Sequence, residues 1–164
     1  HYILGRQELA SLSGANVKTD FVEMPSQMLE EWLWDKEMLK MVSSHYKTGN
    51  PLPDELIDTM ITIKNVSQGG WLQRQISFGV LSLNCFKEGA HKDVNELYHQ
   101  AKALCSPHIA HDSEGHMYAN FGHLTGYGAR YYGYLWSKVF ALDLFNEIKQ
   151  HGLQAWQAID HPAR

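Results

Sequence analysis

Apolar side chains return every three to four positions along almost the whole chain, and the few β-branched runs are short, which predicts an all-α fold. A first helix is expected from about His1 to Leu12, stopping where Ser13-Gly14-Ala15-Asn16 supplies a turn. Thr19-Asp20 is a plausible N-cap for the next helical stretch, which carries Phe21, Val22, Met28, Leu29, Trp32, Leu33, Leu39 and Val42. Pro25 lies inside that stretch and must either kink it or open a new helix, because proline has no N–H to donate one turn back. TGNPLPDEL reads as a connection, with Pro53 at a helix start and Asp54 and Glu55 in the first turn, where the helix dipole favours acids. Helices are then expected to about Ser67, over Trp71–Lys87, over about Asp93–Leu104 and over about Ala129–Gln150, with a weaker one near Leu153–Ile159. Residues 106–128 have no sustained period and hold five glycines or prolines, four histidines and two tyrosines; a loop of that length in a compact domain is often functional.

Composition narrows the picture. At 164 residues the chain is long enough for one domain with a core. A charged fraction of 20% and a formal net charge of −4 offer no basic patch for nucleic acid. No apolar run approaches the roughly 20 residues that cross a bilayer. Cys85 and Cys105 stand far apart and form no C-x-x-C pair, so they read as two reduced, half-buried thiols. The opening residues already have the character of mid-helix, so the N-terminus reads as a cut.

Three clusters could carry chemistry. In Thr19-Asp20-Phe21-Val22-Glu23-Met24-Pro25-Ser26-Gln27, Asp20 and Glu23 are three apart and would share a helix face. One such carboxylate can ligate a divalent metal while the other orients a histidine; two solvated acids at a helix start is the plainer alternative. In Phe121–Trp136, glycines at 122, 126 and 128 accompany His123 and a run of phenols. Tyr127, Tyr131 and Tyr134 follow at spacings of four and three, so one helical face would present three hydroxyls, which could stabilise an oxyanion. The alternative is an aromatic core stripe, against which the glycine density argues. His108, His111 and His116 crowd the long loop, but their spacing matches no structural zinc pattern and they read as solvated loop histidines; the metal-buffering alternative predicts metal uptake that survives Glu23→Ala.

TDFVEMPSQMLEEWLW and GYGARYYGYLW, with SSHYKTG and the Pro53 start between them, resemble the thimet oligopeptidase, neurolysin, saccharolysin and mitochondrial intermediate peptidase family of zinc metallopeptidases. The resemblance runs over nearly the whole chain and covers about a quarter of a family member. It implies the helical part of a zincin-like oligopeptidase catalytic domain, in which a two-lobed helical shell surrounds a deep channel. It implies that residues 1–164 form a single all-α segment of that domain, truncated at the N-terminus and at the C-terminus. In the family, zinc is held by two histidines of H-E-x-x-H and a later glutamate, which matches Glu23 here. The histidine and tyrosines that bind the substrate backbone and stabilise the tetrahedral intermediate match His123, Tyr127, Tyr131 and Tyr134, with Tyr134, Tyr131 and His123 in the catalytic role.

The expected partners are therefore short peptides and the remainder of the domain carrying H-E-x-x-H, which would lie immediately upstream of His1; His1 itself matches the residue one turn after the second zinc histidine and is not expected to be a ligand. This chain departs from thimet oligopeptidase in having a single Gly126 where that enzyme has one glycine more, as mitochondrial intermediate peptidase does. The resemblance implies a cytoplasmic enzyme, with the mitochondrial matrix as the alternative. A non-catalytic helical module that binds peptides or a partner is the rival reading, though it gives no reason to keep Glu23.

Overall fold

Pro25 ends one helix and begins another. A computed structural model describes residues 1–3 and 5–153, and these residues are helical with no strand among them. α1 (Thr19–Val22) stops at Glu23, and α2 (Met24–Glu30) carries Pro25 in its first turn, where the missing N–H would have had no intrahelical partner. Lys18, not Thr19-Asp20, is the N-cap of α1, and Asp20 lies inside the first turn. The chain continues through a 3-10 turn at Glu31–Trp34 into α3 (Lys36–Val42). The Asp35 side chain caps α3 by accepting from the Glu37 and Met38 amides. α4 (Asp54–Ile63) begins directly after Pro53, as its proline and acids predict. α5 (Gln68–Phe86) starts three residues before the expected Trp71, taking Gly69 and Gly70 into its first turn. α6 (Val94–Cys105) is capped by Asp93, which accepts from the Glu96 amide at 3.0 Å.

Two expected helices are shorter than the pattern suggests. Over His1–Leu12 the described residues hold a single 3-10 turn, Ala10–Leu12. Here the chain folds back on itself: Ser13 Oγ donates to the Gly5 carbonyl, and Gly14, at φ +64°, lets the Tyr2 ring lie against its Cα. An isolated helix of about twelve residues is marginal in water, so these contacts win. The closing helix α8 (Gly133–Gln150) starts four residues after the expected Ala129. The stretch before it contains a 3-10 turn at Met117–Asn120, the one-turn α7 (His123–Gly126) and a 3-10 turn at Gly128–Arg130. The weak helix expected near Leu153–Ile159 falls, beyond Leu153, outside the described residues. Among the described residues no helix is long and apolar enough to cross a membrane.

Packing gathers the chain into two compact units, His1–Ile63 with the stretch from Trp136, and Lys64–Leu135. In the first, Met24, Leu39, Ile57, Ala141 and Phe145 are buried, and Trp32 meets Phe145 edge to face with ring centres 5.0 Å apart. Ser137 on α8 donates to the Asp20 carbonyl at 2.7 Å, and Lys138 pairs with the buried Glu31 at 2.7 Å. In the second, Phe78, Leu81, Ala101, Phe121 and Tyr131 form the core, so α5, α6 and the glycine-rich coil pack as one body.

Candidate functional site

The second unit collects an imidazole and three phenols in one place. Its scaffold is one face of α5. Gln75, Phe78 and Ser82 follow at spacings of three and four, so their side chains lie along a single stripe. Phe78 packs its ring on Phe121, with centres 4.9 Å apart, and edge-on to Tyr131 at 5.5 Å. Ser82, almost fully buried, donates to the Gly128 carbonyl at 2.6 Å. Gly128 has φ +56°, in the left-handed region where a side chain is strained, so glycine is required there. That turn breaks what the sequence reads as the start of a long helix and bends the chain around α5.

His123 sits at the first position of α7 and is the hub of the cluster. Its ring lies 5.5 Å from that of Tyr127, 5.1 Å from Tyr131 and 5.6 Å from Tyr134. Its Nε2 is 3.0 Å from the Tyr134 hydroxyl. Tyr127 and Tyr134 stack on each other at 5.6 Å. With the single Gly126, the His123–Tyr127 register therefore still brings the two rings together. No single helix carries the three phenols: Tyr127 caps α7, Tyr131 follows a 3-10 turn and Tyr134 lies in the first turn of α8. The coil, not helical periodicity, makes them converge.

The phenols differ in what their hydroxyls do. Tyr131 is 7% exposed and donates to Gln75 Oε1 at 2.9 Å. Burial pushes its hydroxyl above the ordinary phenol range, against the Arg74 charge and the Gln75 hydrogen bond, which pull it down. Tyr134 is half-buried beside His123. Gln75, Phe78 and Ser82 escaped the sequence reading; the signal was two polar residues on the face of α5 that otherwise packs into the core. Cys85 and Cys105 are both free thiols, half-buried and pushed up by burial.

Glu23 belongs to the first unit and stands at the joint between α1 and α2. It is half-buried, and its Oε2 accepts from Ser26 Oγ at 3.2 Å. The His1 Nε2–H donates to the neighbouring Val22 carbonyl, 2.7 Å away, and the ring meets Phe21 edge-on. The break at Glu23 separates it from Asp20, so the two acids do not share one continuous helix. His108, His111 and His116 form no metal-holding group: among the described residues no three His, Cys, Asp or Glu side chains are so arranged. A catalytic zinc takes three protein ligands and water, so Glu23 with its described neighbours does not fit a complete zinc site.

The model of Peptidase family M3 matches residues 1–158. The chain belongs to peptidase family M3. It is 36% identical over 159 residues to "Oligopeptidase A" of Escherichia coli, covering 93% of this chain and 23% of that protein. With "Saccharolysin" of Saccharomyces cerevisiae it shares 36% identity over 151 residues, which is 89% of this chain and 21% of that protein. With "Mitochondrial intermediate peptidase, mitochondrial" of Arabidopsis thaliana it shares 32% over 150 residues, 90% of this chain and 21% of that protein. This M3 chain thus spans less than a quarter of the length of the curated relatives it matches.

Proposed function

We propose that this chain is the part of a zinc-dependent oligopeptidase that holds the substrate carbonyl, in an enzyme that cleaves internal bonds of short peptides. The observation that carries the reading is the 3.0 Å contact between His123 Nε2 and the Tyr134 hydroxyl, within a ring of phenols built by a glycine-rich coil. When Nε2–H donates to the Tyr134 oxygen, it makes the Tyr134 hydroxyl a stronger donor toward a peptide carbonyl in this reading. Hydrogen bonds in such a chain polarise one another, which strengthens the last donor as negative charge develops on the carbonyl oxygen. Tyr127 stacks on Tyr134 and limits its swing. Tyr131 has already given its hydroxyl to Gln75, so of the two catalytic tyrosines implied by the resemblance, Tyr134 is the better placed donor.

Glu23 is the third zinc ligand in this reading, with two imidazoles from the H-E-x-x-H segment of the remaining domain. Zinc held there by Glu23 and the two imidazoles would supply Lewis acidity toward a bound water. Membership of family M3 supports this assignment, as does the place of Glu23 in an FVEMPSQ stretch at a helix joint.

The test is made on the complete enzyme, this chain joined to the H-E-x-x-H segment. Tyr134→Phe is expected to lower turnover by about two to three orders of magnitude with zinc content unchanged, the scale seen when one oxyanion donor is removed. Unchanged turnover sinks the donor role. Glu23→Ala should lower the zinc stoichiometry of the same enzyme.

A further inference from the structure

Tyr131 is a wedge. Its ring lies 5.1 Å from His123 at a near-right angle and 5.0 Å from Tyr134, so any shift of Tyr131 moves both partners of the 3.0 Å contact. What holds the wedge comes from α5. Phe78 bears on its ring edge, and Gln75 Oε1 accepts its buried hydroxyl at 2.9 Å. Two turns further along the same face, Ser82 holds the backbone of the coil at Gly128. A buried phenol that loses its acceptor must move to find water or another partner. Gln75 is tied to the cluster by its hydrogen bond from the Tyr131 hydroxyl.

We infer that Gln75 is a positioning residue: by anchoring the Tyr131 hydroxyl it sets the register between His123 and Tyr134 and withholds Tyr131 from the substrate. The structural half of this inference stands alone, and its catalytic consequence rests on the function proposed above. An amide oxygen suits the task because it accepts without charge, and a carboxylate of the same length accepts equally well, whereas an aliphatic side chain accepts nothing.

The experiment begins on the 164-residue chain, labelled with 13Cζ tyrosine and ring-15N histidine, with Tyr131 and Tyr134 assigned by their phenylalanine variants. Gln75→Leu is expected to move the Tyr134 carbon and the His123 ring nitrogens, and Gln75→Glu to return them. Tyr131→Phe keeps the ring and removes only the hydroxyl, so it should reproduce the Gln75→Leu shifts, and the double variant should add nothing further. It also keeps the inference testable if Gln75→Leu fails to fold. His123 and Tyr134 signals that stay in place in Tyr131→Phe overturn the inference.

In the complete enzyme, Gln75→Leu is expected to lower kcat about ten- to a hundredfold with KM nearly unchanged, as small misplacements of catalytic groups do, and Gln75→Glu to restore it. Shifted signals together with normal turnover in Tyr134→Phe would leave the positioning intact and reject the functional reading. The opposite pair, unshifted signals with turnover lost in Tyr134→Phe, would reject the positioning alone.

Discussion

Tyr131 and Tyr134 stand three positions apart and use their hydroxyls in different ways. One donates into the core, to Gln75; the other meets an imidazole. Desolvation explains the first: a phenol that is 7% exposed must find an acceptor inside the protein, and its ionised form is disfavoured there. The sign of the resulting pH effect follows. Because the Tyr131 value is raised in the fold, its share of stability is fully present below the ordinary phenol value of about 10 and is lost as pH rises through the folded value. Urea midpoints of the chain measured from pH 9 to 11.5 should therefore fall, and fall less steeply in Tyr131→Phe. Equal slopes would show that Tyr131 ionises as freely folded as unfolded. Residue types made the candidates visible in sequence, since a histidine and three tyrosines among glycines are conspicuous. Their division of labour was not visible, because it depends on Gln75, which lies 56 positions from Tyr131.

The helices show how far local rules reach. Asp35 and Asp93 cap α3 and α6, and Pro53 with Asp54 and Glu55 opens α4, because capping, proline geometry and the dipole act within a few residues. The glycine-rich coil obeys something else. Gly126 and Gly128 look alike in sequence, yet only Gly128 has a positive φ, and a Cβ on either would meet no atom within 4 Å. Gly126→Ala should therefore stabilise the chain by about 0.4–1 kcal/mol through the unfolded state. Gly128→Ala should destabilise it by about 1–2 kcal/mol, the cost of placing an L-residue in the left-handed region. Thermal denaturation of the two variants decides this, and shifts of the same sign would refute the distinction. The expected helix from Ala129 failed for the same reason: Ser82 holds the Gly128 carbonyl and diverts the chain before α8 begins.

At the scale of the molecule, two kinds of ion pair contrast. Lys36 bridges Asp58 at 2.7 Å and Asp54 at 3.4 Å, and Lys40 reaches Asp54 at 2.6 Å. The Lys40 hydrogen bond leads in holding the Asp54 carboxyl below its ordinary range. These groups face water, which screens such pairs and leaves them little weight. Lys138 and Glu31 are 107 positions apart and join α8 to the Glu31–Trp34 turn, with the Glu31 side chain 8% exposed. Removing Glu31 takes the 2.7 Å partner from the half-buried Lys138 ammonium. Glu31→Ala should cost about 3 kcal/mol and Lys36→Ala clearly less, measured as urea unfolding free energies of the chain. Similar losses would mean that burial adds nothing to the Lys138 pair.

The sequence by itself determined the helical class, the starts of α4 and α6, the M3 resemblance and the residues around which a site could form, because each rests on periodicity, capping or an ordered local motif. Only the tertiary structure decided that the phenols converge through a coil rather than along a helix, that Tyr131 is committed to Gln75 while Tyr134 meets His123, and that Glu23 stands at a helix joint. The physical reason is the same in each case. A buried hydroxyl or carbonyl takes whichever partner the packing brings near, and here those partners, Gln75 and Ser82, come from a different helix.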